Sequence, residues 1–167
     1  MSVPSIRVFP DPFLKHPTRW VERFTPDVLR VIDTLIATMR RHPRCVGLAA
    51  PQIGSDLRLA VMDASGHPNA QASRGLLVLV NPVMDGMEGA RIGREGCLSI
   101  PDLTANVRRA ERVRVRAQDR AGVDFAVWLD GFEAVIAQHE IDHLDGTLFL
   151  DRVANPTTDL FRRTSYG

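Results

Sequence analysis

The chain is poor in cysteine. Cys45 and Cys97 are the only two in 167 residues, which excludes a disulfide scaffold and makes free thiols the expected state in a reducing compartment. It also lacks an excess of charge of one sign. The 21 Lys and Arg stand against 20 Asp and Glu, leaving +1 and no electrostatic case for direct nucleic-acid or membrane binding. No stretch approaches the roughly 20 apolar residues that span a bilayer. Residues 1–15 show no basic segment followed by an apolar run, and neither end carries a lipidation motif, so a cytoplasmic location is expected. Internal repeats, low-complexity tracts and linkers are missing too. At 44% hydrophobic and 25% charged residues the composition is that of an ordinary globular protein, long enough for one core and too short for two. One domain over residues 1–167 is expected, with a polar tail over 155–167.

Taken in order, residues 1–24 carry Pro4, Pro10, Pro12 and Pro17, which remove backbone donors and predict an extended lead-in lying over the surface. Thr25-Pro26-Asp27 then reads as a helix N-cap, first turn and first-turn acid. Val28, Val31, Ile32, Leu35, Ile36 and Met39 form one apolar stripe at helical spacing, ending before His42-Pro43. Leu57, Leu59 and Val61 alternate with Arg58, Ala60 and Met62, predicting a half-buried strand; Ser65 to Asn69 is a turn with a solvated His67. Leu76 to Val80 predicts a short apolar strand stopped by Asn81-Pro82. Arg112 to Ala117 and Phe125 to Leu129 flank a turn at Asp119-Arg120-Ala121-Gly122, a hairpin with its arginines on the wet face. Leu148-Phe149-Leu150 reads as a further strand. One early helix, mostly antiparallel strands and a late buried helix make the fold α+β.

The late helix carries Gln138-His139-Glu140-Ile141-Asp142-His143. Phe132, Val135, Ile136, His139 and His143 recur at helical spacing, and Ala134, Ala137, Ile141 and Leu144 form a second such set, so the helix is apolar on two faces and buried. Gly131 precedes it as a turn residue and Gly146 closes it as the left-handed residue. Residues four apart share a helix face, so His139 and His143 can aim ring nitrogens at one ion. Glu140 is turned off that face, where a general base for a metal-bound water belongs. The plainer alternative is two ordinary helix histidines, one satisfied by a core hydrogen bond; His-Glu-x-x-His arises by accident in about one such chain in two hundred.

A catalytic zinc-type site needs a third protein ligand. The position six residues after His143 is Phe149, not His, and no Glu follows Glu140, which excludes the common HExxH proteases. Cys97 and Cys45, as thiolates, remain the strong candidates. Cys97 has the better setting in Glu95-Gly96-Cys97-Leu98-Ser99, where Gly96 allows close approach and Leu98 offers a backbone N–H. Upstream, Cys45-Val46-Gly47-Leu48-Ala49-Ala50-Pro51-Gln52-Ile53-Gly54 crowds small residues around a single amide, Gln52. By itself that stretch is a tight helix-to-strand turn with a surface Gln; it gains weight from its companions.

Gly47-Leu48-Ala49-Ala50-Pro51-Gln52, Glu95-Gly96-Cys97-Leu98-Ser99 and Gln138-His139-Glu140-Ile141-Asp142-His143 together resemble the three motifs of the peptide deformylase family, in its order and at about its spacing. The similarity runs from Arg7-Val8-Phe9-Pro10-Asp11-Pro12 to about Val153. The resemblance implies that Cys97, His139 and His143 hold one metal ion, Fe2+ with Ni2+, Co2+ or Zn2+ able to substitute, beside a catalytic Glu140. Metal-activated water would attack the formyl carbon of an N-formylmethionyl nascent peptide, with Glu140 taking the proton and passing it to the leaving amine. The Leu98 N–H and the Gln52 amide would meet the oxyanion, Val46 and Gly47 would pair with the substrate backbone, and Glu95 with Arg109 would steady the Cys97 segment. Partners would be nascent chains at the ribosome.

The sequence departs from that family in three places. Cys45 stands where Gly is usual, Thr104 where some relatives carry a substrate-touching Arg, and the tail lacks the longer amphipathic helix that some bacterial members use at the ribosome. Docking through such a helix is therefore not expected. Two rival functions are another metal-dependent amidase or peptidase, and a peptide-binding module in which metal only holds the fold.

Overall fold

In the computed structural model, which describes residues 2–164, Thr25 caps helix α1 (Pro26–Arg41): its Oγ1 accepts from the Val28 N–H at 3.4 Å, with Pro26 in the donor-free first turn. Among the described residues eight strands accompany it: β1 (Gly47–Ala49), β2 (Leu59–Met62), β3 (Leu77–Glu88), β4 (Arg91–Cys97), β5 (Ile100–Arg109), β6 (Arg112–Gln118), β7 (Asp124–Asp130) and β8 (Leu160–Arg162). A second long helix, α2 (Gly131–Leu144), follows β7, and a short α3 (Pro156–Asp159) precedes β8. One antiparallel sheet runs β1-β2-β3-β6-β7 and a smaller one β4-β5-β8. This is the expected α+β architecture.

The two helices cover the larger sheet from opposite faces, and that decides what the alternation of β2 means. Leu59 and Val61 pack with Val28, Ile32, Leu35 and Met39 of α1, whereas Met62 packs with Ala134, Ile136 and Ile141 of α2, and Ala60 with Leu144. The strand expected to be half-buried is therefore buried on both faces. The predicted hairpin is β6–β7, with Val113, Val115 and Leu129 buried. Its arginines line the wet side, where Arg114 and Arg116 share Asp85 at 2.6 and 2.7 Å.

Several local expectations are overturned by tertiary context. Asn81-Pro82 does not stop β3: Asn81 takes φ 53 and the ladder to β6 shifts register between Val80 and Val83, so the bulge absorbs the proline. Asn81 can do so because its side chain bridges Val21 and Gln118 through three hydrogen bonds of 2.8–2.9 Å. Leu148-Phe149-Leu150 is not a strand; Phe149–Arg152 forms a 3-10 turn that buries Phe149 in the core of the small sheet. The tail is more than polar coil, since Leu160 and Phe161 of β8 pair with β5 and Arg94 lies 3.6 Å over the Phe161 ring. Residues 165–167 of that tail lie outside the described residues. His67 is half-buried rather than solvated, stacked on Phe132 at 4.5 Å.

The lead-in is extended as expected, apart from a 3-10 turn over Pro12–Lys15, but it also fastens the motif segments together. Arg7 N–H donates to Gln52 O and Phe9 N–H to Ser99 O, both at 2.8 Å, and Thr18 N–H to Leu144 O at 2.9 Å. Leu14 is fully buried. Gly146, at φ 74, lets this strap pass: a Cβ there would lie 2.5 Å from the Lys15 carbonyl oxygen.

Candidate active site

Helix α2 is anchored before it presents its histidines. The Gln138 amide accepts from Ala110 N–H at 2.9 Å and donates to Ala110 O at 3.0 Å, fixing the helix against the end of β5. His139 and His143 then meet at 5.0 Å between ring centroids. His139 Nδ1 lies 2.9 Å from Glu95 Oε1; the ionised carboxylate can only accept, so Nδ1 donates there and Nε2 is the ring nitrogen left to face Cys97 and an ion. His143 Nε2 lies 3.3 Å from Cys97 Sγ. One ligand atom from each of Cys97, His139 and His143 falls within 4.8 Å of the others.

Cys97 reaches this place because β4 breaks register between Glu95 and Cys97 and turns tightly, Cys97 pairing with Ile100. Burial pushes its thiol up, but the neighbouring His143 and His139 rings outweigh that and hold it well below the usual thiol range, as a thiolate. Cys45 behaves in the opposite way. Burial and the Glu140 charge push it up to about 12, and its Sγ donates to Gly47 O at 3.2 Å. Of the two thiols left open by the sequence, only Cys97 joins the histidines.

Glu140 is buried at 4% exposure, and burial lifts its carboxyl to about 7 against the pull of the His139 and His143 rings. Its Oε2 and His143 Nδ1 are the two buried side-chain polar atoms without a partner among the described residues. Leaving Glu140 Oε2 unmatched costs about 1–3 kcal/mol, which a polar ligand in the cavity that Glu140 lines would offset. Gly47 makes room for the carboxylate: a Cβ there would lie 2.6 Å from Glu140 Oε1.

Gln52 is not the surface residue that its stretch suggests when read alone; it is 2% exposed. Its Oε1 accepts from Ala49 N–H at 3.0 Å, which points Nε2 at Cys97 Sγ (3.4 Å) and Ser99 Oγ (3.1 Å). Gln52, Val46, Gly47, Leu98, Cys97, His139 and Glu140 line one cavity of about 340 Å³, walled also by Val135 and Ile136. Strand β1, with Gly47 at its start, forms the edge of the larger sheet. Glu95 and Arg109 pair through both guanidinium prongs at 2.8 and 2.9 Å, and this pairing together with His139 holds the buried Glu95 carboxyl down at about 2. Thr104 sits on β5 beside Gly96. The sequence reading missed Ser99, Asp142 and Arg152: Asp142 stood inside the motif as a second acid, but its partners come from distant segments.

A thiolate and two imidazoles around one point, with a buried carboxylate alongside, fit a borderline-soft divalent ion with three protein ligands and one open position. Fold and site thus define the class of metallohydrolases built on a buried HExxH helix whose third candidate ligand is a cysteine from a neighbouring strand. The polypeptide deformylase family model matches residues 3–159, and the chain belongs to that family. It is 42% identical to the peptide deformylase of Alkalilimnicola ehrlichii over 163 residues, 98% of this chain and 89% of that one. Among solved structures, a peptide deformylase from Legionella pneumophila superposes with a TM-score of 0.84 at 39% identity, covering 92% of this chain and 87% of the other. A Met-Ala-Ser-bound class I type b peptide deformylase from Acinetobacter baumannii gives 0.84 at 31% identity, covering 91% and 99%. Family, fold and the Cys97–His139–His143 cluster support deformylase activity.

Proposed function

We propose that this chain, acting as one catalytic domain over residues 1–167, removes the formyl group from N-formylmethionyl peptides and releases formate. The observation that carries the reading is the convergence of Cys97, His139 and His143 within 4.8 Å, with Cys97 and His139 opening onto one cavity that Glu140 and Gln52 also line. Cys97, His139 and His143 would hold one metal ion; Fe2+ is our assignment, with Ni2+, Co2+ or Zn2+ as substitutes that the same donors accept. When bound, the ion supplies Lewis acidity, which acidifies water and polarises the formyl carbonyl.

The remaining chemistry belongs to the chain. Glu140, with its carboxyl near 7, is poised at neutral pH both to take a proton from the attacking water and to return it to the leaving amine. Gln52 Nε2 and the Leu98 N–H would donate to the oxygen that becomes negative, each such donor being worth about 3 kcal/mol in comparable sites. An extended peptide would add to the β1 edge at Val46 and Gly47, with the methionine side chain between Leu98, Val135 and Ile136. Glu95 and Arg109 would keep His139 and the Cys97 strand in register.

The A. baumannii relative binds Met-Ala-Ser, the product expected of a formylated tripeptide, which supports the same substrate class here. No helix among the described residues is long and apolar enough to cross a membrane. We place the activity in the cytoplasm, on nascent chains leaving the ribosome. Turnover of formyl-Met-Ala-Ser and acetyl-Met-Ala-Ser tests the assignment: the formyl peptide should be preferred by at least about 100-fold in kcat/KM, since an acetyl methyl crowds the reacting carbon. Equal turnover, or cleavage of an internal peptide bond, would point to a different amidase.

A further inference from the structure

The candidate ligands lie at one end of a chain of alternating charges that reaches the surface. His139 Nδ1 donates to Glu95 Oε1 at 2.9 Å, Glu95 accepts both prongs of Arg109, and Arg109 Nη1 donates to Asp142 Oδ2 at 2.6 Å. Asp142 in turn accepts from Arg152 Nε and Nη2, both at 2.7 Å. The Glu95, Arg109 and Asp142 side chains are 3–6% exposed, and that of Arg152 is 48%. Two buried carboxylates and one buried guanidinium leave a negative charge uncancelled, and Arg152 supplies the missing positive one. Without it, Asp142 and Glu95 compete for Arg109 alone, and Glu95 is the group that orients the His139 ring.

Arg152 does not act by contact with the catalytic cavity. It lines a second cavity with Arg109, Gln138 and Asp142, and the two cavities share no residue. It comes from the 3-10 turn Phe149–Arg152, whose Phe149 ring stacks on His139 at 6.1 Å between centroids. The segment after α2 therefore grips the His139 ring both by packing and through the charge chain.

We propose that Arg152 is a positioning residue for the metal-ligand set, holding His139 in ligating orientation through Asp142, Arg109 and Glu95. The inference rests on the reading of Cys97, His139 and His143 as metal ligands. The test uses Co2+ as the probe: anaerobic titration of the metal-freed full chain, followed by visible absorption, for wild type, Arg152→Gln, Arg152→Lys and His143→Ala, each with a thermal melt. Arg152→Gln should bind Co2+ about 10-fold more weakly and shift the cobalt bands, and Arg152→Lys, which keeps the charge and loses the fork, should fall between it and wild type. Wild-type affinity and bands in a folded Arg152→Gln protein overturn the proposal. Should that variant not fold, the same result in Arg152→Lys overturns it. His143→Ala separates the two readings: undiminished Co2+ binding there takes down the metal-site assignment and this inference with it. Binding lost in His143→Ala yet untouched in Arg152→Gln overturns the inference alone.

Discussion

Replacing Gly47 by Ala adds one methyl group that would lie 2.6 Å from Glu140 Oε1, 2.9 Å from its Cγ and 3.0 Å from its Cδ. Ordinary contact begins near 3.4 Å, so the carboxylate must retreat by about 0.8 Å. The backbone is not the obstacle, because Gly47 lies in strand β1 and has no positive φ. Its N–H and C=O survive the change, so the proposed pairing of a peptide at the β1 edge would be preserved. Misplacing a catalytic group by on the order of 1 Å costs about 100-fold, or about 2.7 kcal/mol in the barrier. We expect kcat for formate release from formyl-Met-Ala-Ser to fall about 100-fold while KM moves less than about threefold and one metal per chain is retained. Steady-state formate release with metal analysis of the same sample reads both quantities. A Gly47→Ala protein with kcat within about threefold of wild type would refute the idea that this glycine exists to admit the Glu140 carboxylate.

Other outcomes follow from the same geometry. Cys97→Ser should lose metal, whereas Cys45→Ala should keep it, because Cys45 donates to Gly47 O and stays a neutral thiol; metal analysis of the two proteins separates them. With Cys45 raised to about 12, its thiolate is scarce at neutral pH, and a thiol reagent at about pH 8 should modify it at least about 100-fold more slowly than a free cysteine. Asn81→Ala should destabilise by about 2–4 kcal/mol in urea unfolding, since it loses three side-chain hydrogen bonds while keeping φ 53. Gly146→Ala should destabilise by at least about 2 kcal/mol, because the new Cβ meets the Lys15 carbonyl oxygen at 2.5 Å with φ at 74.

What could be read from the sequence was whatever repeats at short range. The stripe Val28-Ile32-Leu35-Met39, the cap Thr25-Pro26-Asp27, the two-faced apolar pattern around His139 and His143, and the Arg112–Leu129 hairpin all survive in the structure. Local rules failed where a distant partner overrode them. Asn81-Pro82 ends a strand by propensity, but Val21 and Gln118 hold Asn81 in a bulge and β3 runs on. Strands β4 and β5 gave little alternation to read, with two Gly and two Arg in β4 and an early Pro and a closing Arg pair in β5, and they form by pairing with each other and, for β5, with β8. Gln52 looked superficial because its burial depends on Ser99 and the Arg7–Phe9 strap, which only the fold brings near. Residue types and helix spacing named the likeness of the site, and the likeness carried the Glu95–Arg109 pair with it; the extension of that pair through Asp142 to Arg152 joins distant segments and left no local trace.

The most direct test of the central claim is formate release from formyl-Met-Ala-Ser by anaerobically purified wild-type and Glu140→Gln proteins, with metal content measured on the same samples. About one metal per chain is expected in both, with formate from the wild type and a loss of roughly 100- to 10,000-fold in the variant. Undiminished release by Glu140→Gln would contradict Glu140 as the base, and bound metal without formate from the wild type would contradict the deformylase assignment itself.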